Sequence, residues 1–318
     1  MQEINDKKRN WKRKPRRRKK RIPIIALIVM LLSGIGITIE CVDGSDVLSK
    51  NNVTADSRME VHFLDMGQSD STLIVCDGEA MLIDAGDNDQ GTRLQLYLKK
   101  QGIKSLNYLV LTHPDADHIG GADVVITKFD IGTVFMSDYE KTTRTYTDLL
   151  DTLKYKGYQW ITPKVGNTYT LGSAKITIAG PIYRYEYPNN SSIVLMIEHG
   201  NNKFLFTGDA EEEAEQALLY GDVDLNADVL KVGHHGSKTS SIEAFLDEVS
   251  PESAVISCGI DNSYGFPHAK TLNNLRARGV DVYRTDNQGT VVAVSDGNQI
   301  TWNCSPDTTW QVGERHGK

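Results

Sequence analysis

The stretch Leu106-Asn-Tyr-Leu-Val-Leu-Thr-His-Pro-Asp-Ala-Asp-His-Ile-Gly-Gly121 constrains the fold more than any other. Its apolar run, Tyr108 to Leu111, is short, partly β-branched and followed by Pro114, which predicts a buried strand. Beyond it His113, Asp115, Asp117 and His118 fall within six residues. Side chains at i, i+2, i+4 and i+5 cannot all share one helical face. On a loop leaving a strand they can converge, two on one cation and two on a neighbour. The plainer alternative is a polar turn whose Asp residues cap a helix; the rest of the chain weighs against it.

Charge divides the 318 residues sharply. Residues 1–22 carry twelve Lys or Arg against Glu3 and Asp6, a net of +10, so the remaining 23 basic and 40 acidic residues leave the body at −17. An acidic body repels nucleic acid at long range, while a basic tail seeks anionic surfaces. Directly after the tail, Pro23 to Ile39 is uncharged and about long enough to cross a bilayer as a helix. Lys and Arg on its N-terminal side predict a single span with a cytoplasmic N-terminus and an extracellular body. Cleavage and secretion is the lesser alternative, because Thr38-Ile39-Glu40-Cys41 lacks small residues at the cut. Lipidation at Cys41 meets the same obstacle at Glu40. The expected organisation is a basic tail (1–22), a transmembrane anchor (23–40), a polar linker (41–58), a catalytic domain (59–300) and a C-terminal tail (301–318). Cys76, Cys258 and Cys304 match no metal or redox spacing and read as packed thiols, with a disulfide open to an exported body.

From Met59 onward strands and helices alternate in two similar halves. Strands are expected at Val61–Leu64, Ser71–Cys76, Met81–Ile83, Tyr108–Leu111, Val134–Met136, Lys175–Ala179, Ser192–Glu198, Lys203–Thr207, Asp228–Val232, Ala254–Ser257, Val280–Arg284 and Thr290–Val294. Helices are expected at Thr92–Gln101, from Gly120 towards Lys128, and at Thr145–Lys156, Ala210–Tyr220, Ile242–Val249 and Lys270–Arg278, the last closed by Gly279. Two sheets covered by helices, an α/β protein in αββα layers, accommodate this order.

Candidate ligands recur where strands end: Asp84 after Leu-Ile, His113 after Val-Leu-Thr, Asp209 after Phe-Thr-Gly, and His234 and His235 after Lys-Val-Gly. Any one of them has a structural explanation, but the recurrence argues for a site. His113 and Asp115 suit one cation, Asp117 and His118 a second, and Asp209 a bridge, since a carboxylate spans ions about 3.5–4 Å apart. One or both of His234 and His235 complete a shell. Water between two such ions is acidified towards neutrality, so the resulting hydroxide attacks and no protein nucleophile is required. Carboxylate in place of a further imidazole makes the donors harder, so Mn²⁺ competes with Zn²⁺. Asp84 reads as a group that orients a ligand histidine. Asp65 and Asp70 either tie a turn or stand around the ligands or the substrate, His62 and His199 read as structural, and Glu211–Glu213 as an acidic helix start.

His113-Pro-Asp-Ala-Asp-His118 resembles the HxHxDH signature of metallo-β-lactamase-fold hydrolases in its HxDxDH form, as found in ComEC-type DNA-uptake competence proteins. Phe63-Leu-Asp-Met-Gly-Gln-Ser-Asp70 is similar to the LDVGQGD opening of that subgroup. Asn189-Asn-Ser-Ser-Ile-Val-Leu195 is similar to its NxxSxVL element, in which Ser192 stands where the third-motif ligand is usual. Thr207-Gly-Asp209 and Lys231-Val-Gly-His-His-Gly-Ser237 resemble the later ligand motifs, placing Ser237 beside the site. In Tyr264-Gly-Phe-Pro-His268 the first His of YGHPH is Phe266, leaving His268 for substrate or leaving-group contact. The resemblance spans about Glu60 to Val294.

Together these readings predict a membrane-anchored hydrolase with two divalent ions, Zn²⁺ or Mn²⁺. Asp117 and His268 are the expected catalytic residues, and Lys231, Lys238 and Lys270 a basic rim. The expected substrate is a phosphodiester, extracellular DNA first and a phosphorylcholine-type or other wall phosphoester second; no obligatory protein partner is implied. With one hydrophobic span there is no channel, so DNA transport does not carry over. A non-catalytic surface binding protein on the same fold is the rival reading, disfavoured by so many intact ligand positions.

Overall fold

The computed structural model describes residues 57–314. The expected basic tail, anchor and most of the linker lie outside them. Among the described residues no helix is long and apolar enough to cross a membrane.

The first half runs β1 (Met59–Phe63), β2 (Thr72–Cys76), β3 (Glu79–Ile83), α1 (Gly91–Lys100), β4 (Ser105–Leu111), α2 (Ala116–Ile119), α3 (Ala122–Lys128), β5 (Asp130–Met136), α4 (Arg144–Lys156) and β6 (Trp160–Ile161). The second runs β7 (Thr168–Leu171), β8 (Ala174–Gly180), β9 (Val194–His199), β10 (Asn202–Phe206), α5 (Glu212–Leu218), β11 (Val229–Lys231), α6 (Glu243–Val249), β12 (Ser253–Ile256), α7 (Ala269–Ala277) and β13 (Asp281–Arg284). The short α8 (Thr285–Gln288) then leads to β14 (Val291–Ser295) and β15 (Ile300–Trp302).

One sheet has the order β15-β14-β1-β2-β3-β4-β5-β6 and the other β13-β12-β11-β10-β9-β8-β7. The last two strands return to the first sheet, where Phe63 pairs with Val291 on β14. The sheets face each other across an apolar layer that includes Phe63, Met81, Val110, Ile176, Phe204 and Phe206. Phe63 and Phe206 stack across it with centroids 6.0 Å apart. Leu94, Val125 and Leu149 fasten helices α1, α3 and α4 to the outer face of the first sheet. Leu218, Leu246 and Leu272 do the same for α5, α6 and α7 on the second. This is the expected αββα layering.

Strand direction sets the site. Strands β3, β4 and β5 are parallel, as are β10 and β11. Their carboxyl ends therefore emerge on a common edge of each sheet. Burial on both faces explains why β4 reads as a continuous apolar run instead of an alternation.

Several boundaries moved. The acidic helix is α5, Glu212–Leu218, shorter than Ala210–Tyr220. Strand β9 begins at Val194, so Ser192 lies in the turn before it. Strands β6 and β7, two and four residues long and largely exposed, carried no pattern to read. Strand β15 continues to Trp302, which stacks on Tyr283 at 4.0 Å, so the sheet outlasts residue 300. Cys76, Cys258 and Cys304 are free thiols.

Candidate metal centre

The expected ligand loop proves to be partly helical. Asp117 and His118 are consecutive residues of the one-turn helix α2, while His113 and Asp115 precede it. Gly120 and Gly121 allow this turn to lie against the segment after β3. A Cβ on Gly121 would stand 2.4 Å from Ala85 O, and one on Gly120 2.2 Å from Asn88 N. The four side chains therefore diverge from a helix start, not from a loop.

Asp84 organises this corner. It follows β3 at φ +58°, accepts Thr112 N–H at 2.8 Å and Thr112 Oγ–H at 2.7 Å, and accepts His118 Nδ1–H at 2.7 Å. That fixes the His118 tautomer and turns Nε2 inward, 3.2 Å from Asp209 Oδ1. From the second sheet, Gly208 at φ +53° turns the chain after β10, and Asp209 N donates to Ser192 Oγ at 3.0 Å. His235 follows β11. Its Nδ1–H donates to Ser257 O at 3.0 Å, and its Nε2 lies 3.3 Å from Asp117 Oδ2 and 3.7 Å from Asp209 Oδ2.

Asp70 joins them. Atoms of Asp70, His118, Asp209 and His235 lie within 4.8 Å of one another, and all four residues are buried. Asp70 thus stands among the possible donors themselves, and does more than tie a turn. Asp65 accepts Gly67 N–H at 3.2 Å and pairs with Arg93 at 3.1 Å. Lys231 is corrected. It is buried, with Nζ 2.8 Å from Asp70 Oδ2, and belongs to no basic rim.

The electrostatics suit a cation-binding site. His113 Nε2, His118 Nε2, His235 Nε2, Asp70 Oδ1 and Asp209 Oδ1 are buried without a hydrogen-bond partner. The His118–Asp209 approach is close but badly aligned for a hydrogen bond. Buried unpaired lone pairs are costly, and five of them converging suit a divalent ion. Burial opposes charge on Asp209, but His118 and His235 outweigh it and hold the carboxyl well below its ordinary range. Burial opposes charge on His118 too, yet Asp209 and Asp84 raise it well above 6.5. His235 is raised for like reasons. Burial, then His118, lowers His113.

The remaining candidates sit around this core. His113 Nε2 is 3.9 Å from Asp115 Oδ1 and 3.9 Å from Asp209 Oδ2. Its Nδ1 lies 3.1 Å from Thr112 Oγ1 and 3.3 Å from Ser192 Oγ. Lys141 Nζ bonds Asp115 Oδ1 at 2.5 Å, from a loop whose sequence gave no sign of it. His234 Nδ1 is 3.1 Å from Glu211 Oε1, so Glu211 is more than a helix start. His268 Nδ1 accepts Lys238 N–H at 3.0 Å, and the Phe266 ring lies between Tyr264 and His235. Ser237 Oγ meets Thr239 Oγ1 at 2.8 Å.

Residues 64–260 match the metallo-beta-lactamase superfamily. The chain belongs to that superfamily. It is similar to ComE operon protein 3 of Bacillus subtilis (32% identical, covering 74% of this chain and 33% of the relative). It is similar to Recombination protein 2 of Haemophilus influenzae (34%, covering 68% and 26%) and to competence protein ComA of Neisseria gonorrhoeae (31%, covering 83% and 36%). The chain thus spans about a third of the length of these relatives. It is a metallo-hydrolase of the metallo-beta-lactamase fold, related to competence proteins, in which Asp70, His118, Asp209 and His235 are placed to hold a metal ion.

Proposed function

We propose that the chain hydrolyses phosphodiesters, with DNA outside the cell as substrate. The carrying observation is the groove beside the buried cluster. It is open to solvent, holds about 520 Å³ and is lined by Tyr187, Asn190, Lys238, Lys270 and three glutamates, of which Glu211 reaches from its wall to His234. Two ammonium groups and an amide suit a phosphate backbone, and an exposed tyrosine suits a base. Relatives named for competence and for recombination support the same substrate class.

When bound, divalent ions, Zn²⁺ or Mn²⁺, polarise a phosphoryl oxygen and acidify water. The chain's own residues do the rest. His118, His235, Asp209, Asp117 and Asp70 present the donors that hold the cations. His235 and His118 keep the Asp117 carboxyl ionised against its burial, so Asp117 acts as an anion and not as a proton donor. Because His268 Nδ1 accepts a backbone N–H, its ring presents an Nε2–H that can donate a hydrogen bond to a phosphoryl or leaving oxygen.

Glu211, Glu212 and Glu213 also line the groove and favour a second reading. An acidic wall beside two lysines suits a zwitterion such as a phosphorylcholine ester, with its ammonium on the carboxylates. The uncharged segment behind a +10 tail supports residues 23–40 as the anchor and an outward-facing body. Protease added to intact cells then removes the body; full protection overturns that orientation. The catalytic reading is tested by assaying the full metal-replete chain on DNA, bis-p-nitrophenyl phosphate, phosphorylcholine esters and nitrocefin. DNA cleavage that is lost with chelator is expected. Turnover of nitrocefin alone would sink it, and turnover of phosphorylcholine esters without DNA would promote the second reading.

A further inference from the structure

The body carries a second charge asymmetry. Between Asp151 and Glu186 no Asp or Glu occurs, whereas Lys154, Lys156, Lys164, Lys175 and Arg184 do, in a body whose net charge is −17. Lys175 is taken up by Glu198 at 2.7 Å. The first three lysines are exposed and lie on one stretch of chain. Lys154 and Lys156 end α4, Gly157 at φ +74° turns the chain, and Lys164 lies on the link from β6 to β7. Those two strands are edge strands of their respective sheets, so the link runs along one side of the sandwich. Lys154 is 3.8 Å from Asp151 with both side chains largely in solvent, a contact that neutralises little of its charge.

The same stretch exposes apolar side chains. Tyr155, Trp160, Ile161 and Val165 are four of the eleven large hydrophobic residues exposed among the described residues, and all four fall within residues 155–165. Tyr155 is 89% exposed. Both residues of β6 face solvent, and no further strand pairs with β6 among the described residues. Edge strands are ordinarily guarded by charges on the strand itself. Here the strand is apolar and the lysines flank it.

We infer that residues 154–165 form a surface that docks on a membrane of anionic phospholipid. Tyr155 and Trp160 have the amphipathic rings that settle at headgroup level, Ile161 and Val165 suit the acyl boundary, and the lysines reach lipid phosphates. Charge complementarity selects this occupant. A second copy, pairing edge to edge, would set the same lysines against one another. A nucleic-acid strand would use the lysines and stack on the two rings, but would leave Ile161 and Val165 in water. None of Asp70, His118, Asp209 and His235 lies in this stretch, and the inference does not depend on the reaction catalysed.

The test reconstitutes the full chain in vesicles of phosphatidylglycerol, or of phosphatidylcholine, whose brominated acyl chains quench nearby tryptophan. The part due to Trp160 is the difference between wild type and Trp160→Phe, in which the basic tail, the apolar segment and Trp11, Trp302 and Trp310 are unchanged. Trp160 should be quenched in phosphatidylglycerol and little in phosphatidylcholine. Lys154→Gln, Lys156→Gln and Lys164→Gln together should weaken docking about 100-fold and remove that quenching. Ile161→Ser with Val165→Ser should reduce it while the lysines remain. All these positions are exposed, so the variants should keep the wild-type circular dichroism. A Trp160 that stays unquenched in phosphatidylglycerol, or is quenched equally in both lipids or in the triple lysine variant, overturns the inference. So does a Trp160 signal that responds to an oligonucleotide and not to lipid, which would make this side a nucleic-acid face.

Discussion

Lys231 Nζ and Asp70 Oδ2 lie 2.8 Å apart, both side chains almost wholly buried, on segments 161 residues apart in sequence. The pair joins the turn after β1 to the end of β11, and so ties the first sheet to the second at the metal site. Burial raises the Asp70 carboxyl, but Lys231, with His235 and His118, outweighs it and keeps the group ionised. Removing the ammonium strands a buried charge. Lys231→Met should cost about 3–5 kcal/mol in the chelator-treated chain. Asp70 Oδ1 points among the metal donors without a partner, so added cation should recover part of the loss. Thermal melts with and without Mn²⁺ check it; equal destabilisation in both would show that Asp70 does not face the cation.

Asp84 makes three short hydrogen bonds from one carboxylate, two to Thr112 and one to His118 Nδ1. Asp84→Asn retains the shape but can present an N–H towards His118 and let the ring turn. Loss of such a partner typically costs about 10–100-fold in metal affinity. Isothermal titration should show that loss with the fold intact by circular dichroism. Unchanged affinity would reduce Asp84 to a structural bond.

Most of this centre was legible because strand ends can be read. Apolar runs closing on Asp84, His113, Asp209 and His235 marked four positions that the parallel strands bring to one edge. What the sequence hid was pairing across the sandwich. Lys231 looks like a rim lysine, because the sign that it is buried is Asp70, 161 residues away. Glu211 looks like a helix start because its partner His234 belongs to another loop. Lys141 has no periodic context at all. The one-turn helix carrying Asp117 and His118 was missed because four residues are too few for a helical period.

Lys238 and Lys270 are exposed on the groove wall, beside Glu211, Glu212 and Glu213. Against a body of net −17, such local charges decide binding, since the Debye length is about 8 Å at physiological salt. If DNA occupies the groove, Lys238→Ala with Lys270→Ala should raise KM for DNA at least about tenfold and flatten its salt dependence by about two in log–log slope. The KM for bis-p-nitrophenyl phosphate should move little. Parallel salt curves for the two substrates, with kcat/KM higher on the small one, would favour the phosphorylcholine-type ester.

Glu215 is the outlying titratable group, fully buried on α5. Its Oε1 accepts Ser241 N–H at 2.7 Å and its Oε2 accepts Ile242 N–H at 2.9 Å, supplying acceptors for the start of α6. Burial pushes its pKa up to about 8 from 4.5, although those two bonds pull it down. A carboxyl raised on folding holds its proton more tightly in the folded chain. Its contribution is therefore complete below about pH 4.5 and is lost as pH climbs through about 8. Glu215→Gln cannot ionise, and its NH₂ meets one of the two donors. The variant should thus melt below wild type at pH 5 by about 1–2 kcal/mol, or about 2–8 °C. That gap should shrink by up to about 1.4 kcal/mol per pH unit and close or reverse before pH 8, because only wild type has this carboxyl to ionise. Melting curves of the metal-free full chain at half-unit pH steps decide it. A gap that stays constant or widens with pH would mean that Glu215 is ionised throughout and that its two backbone donors prevail over burial.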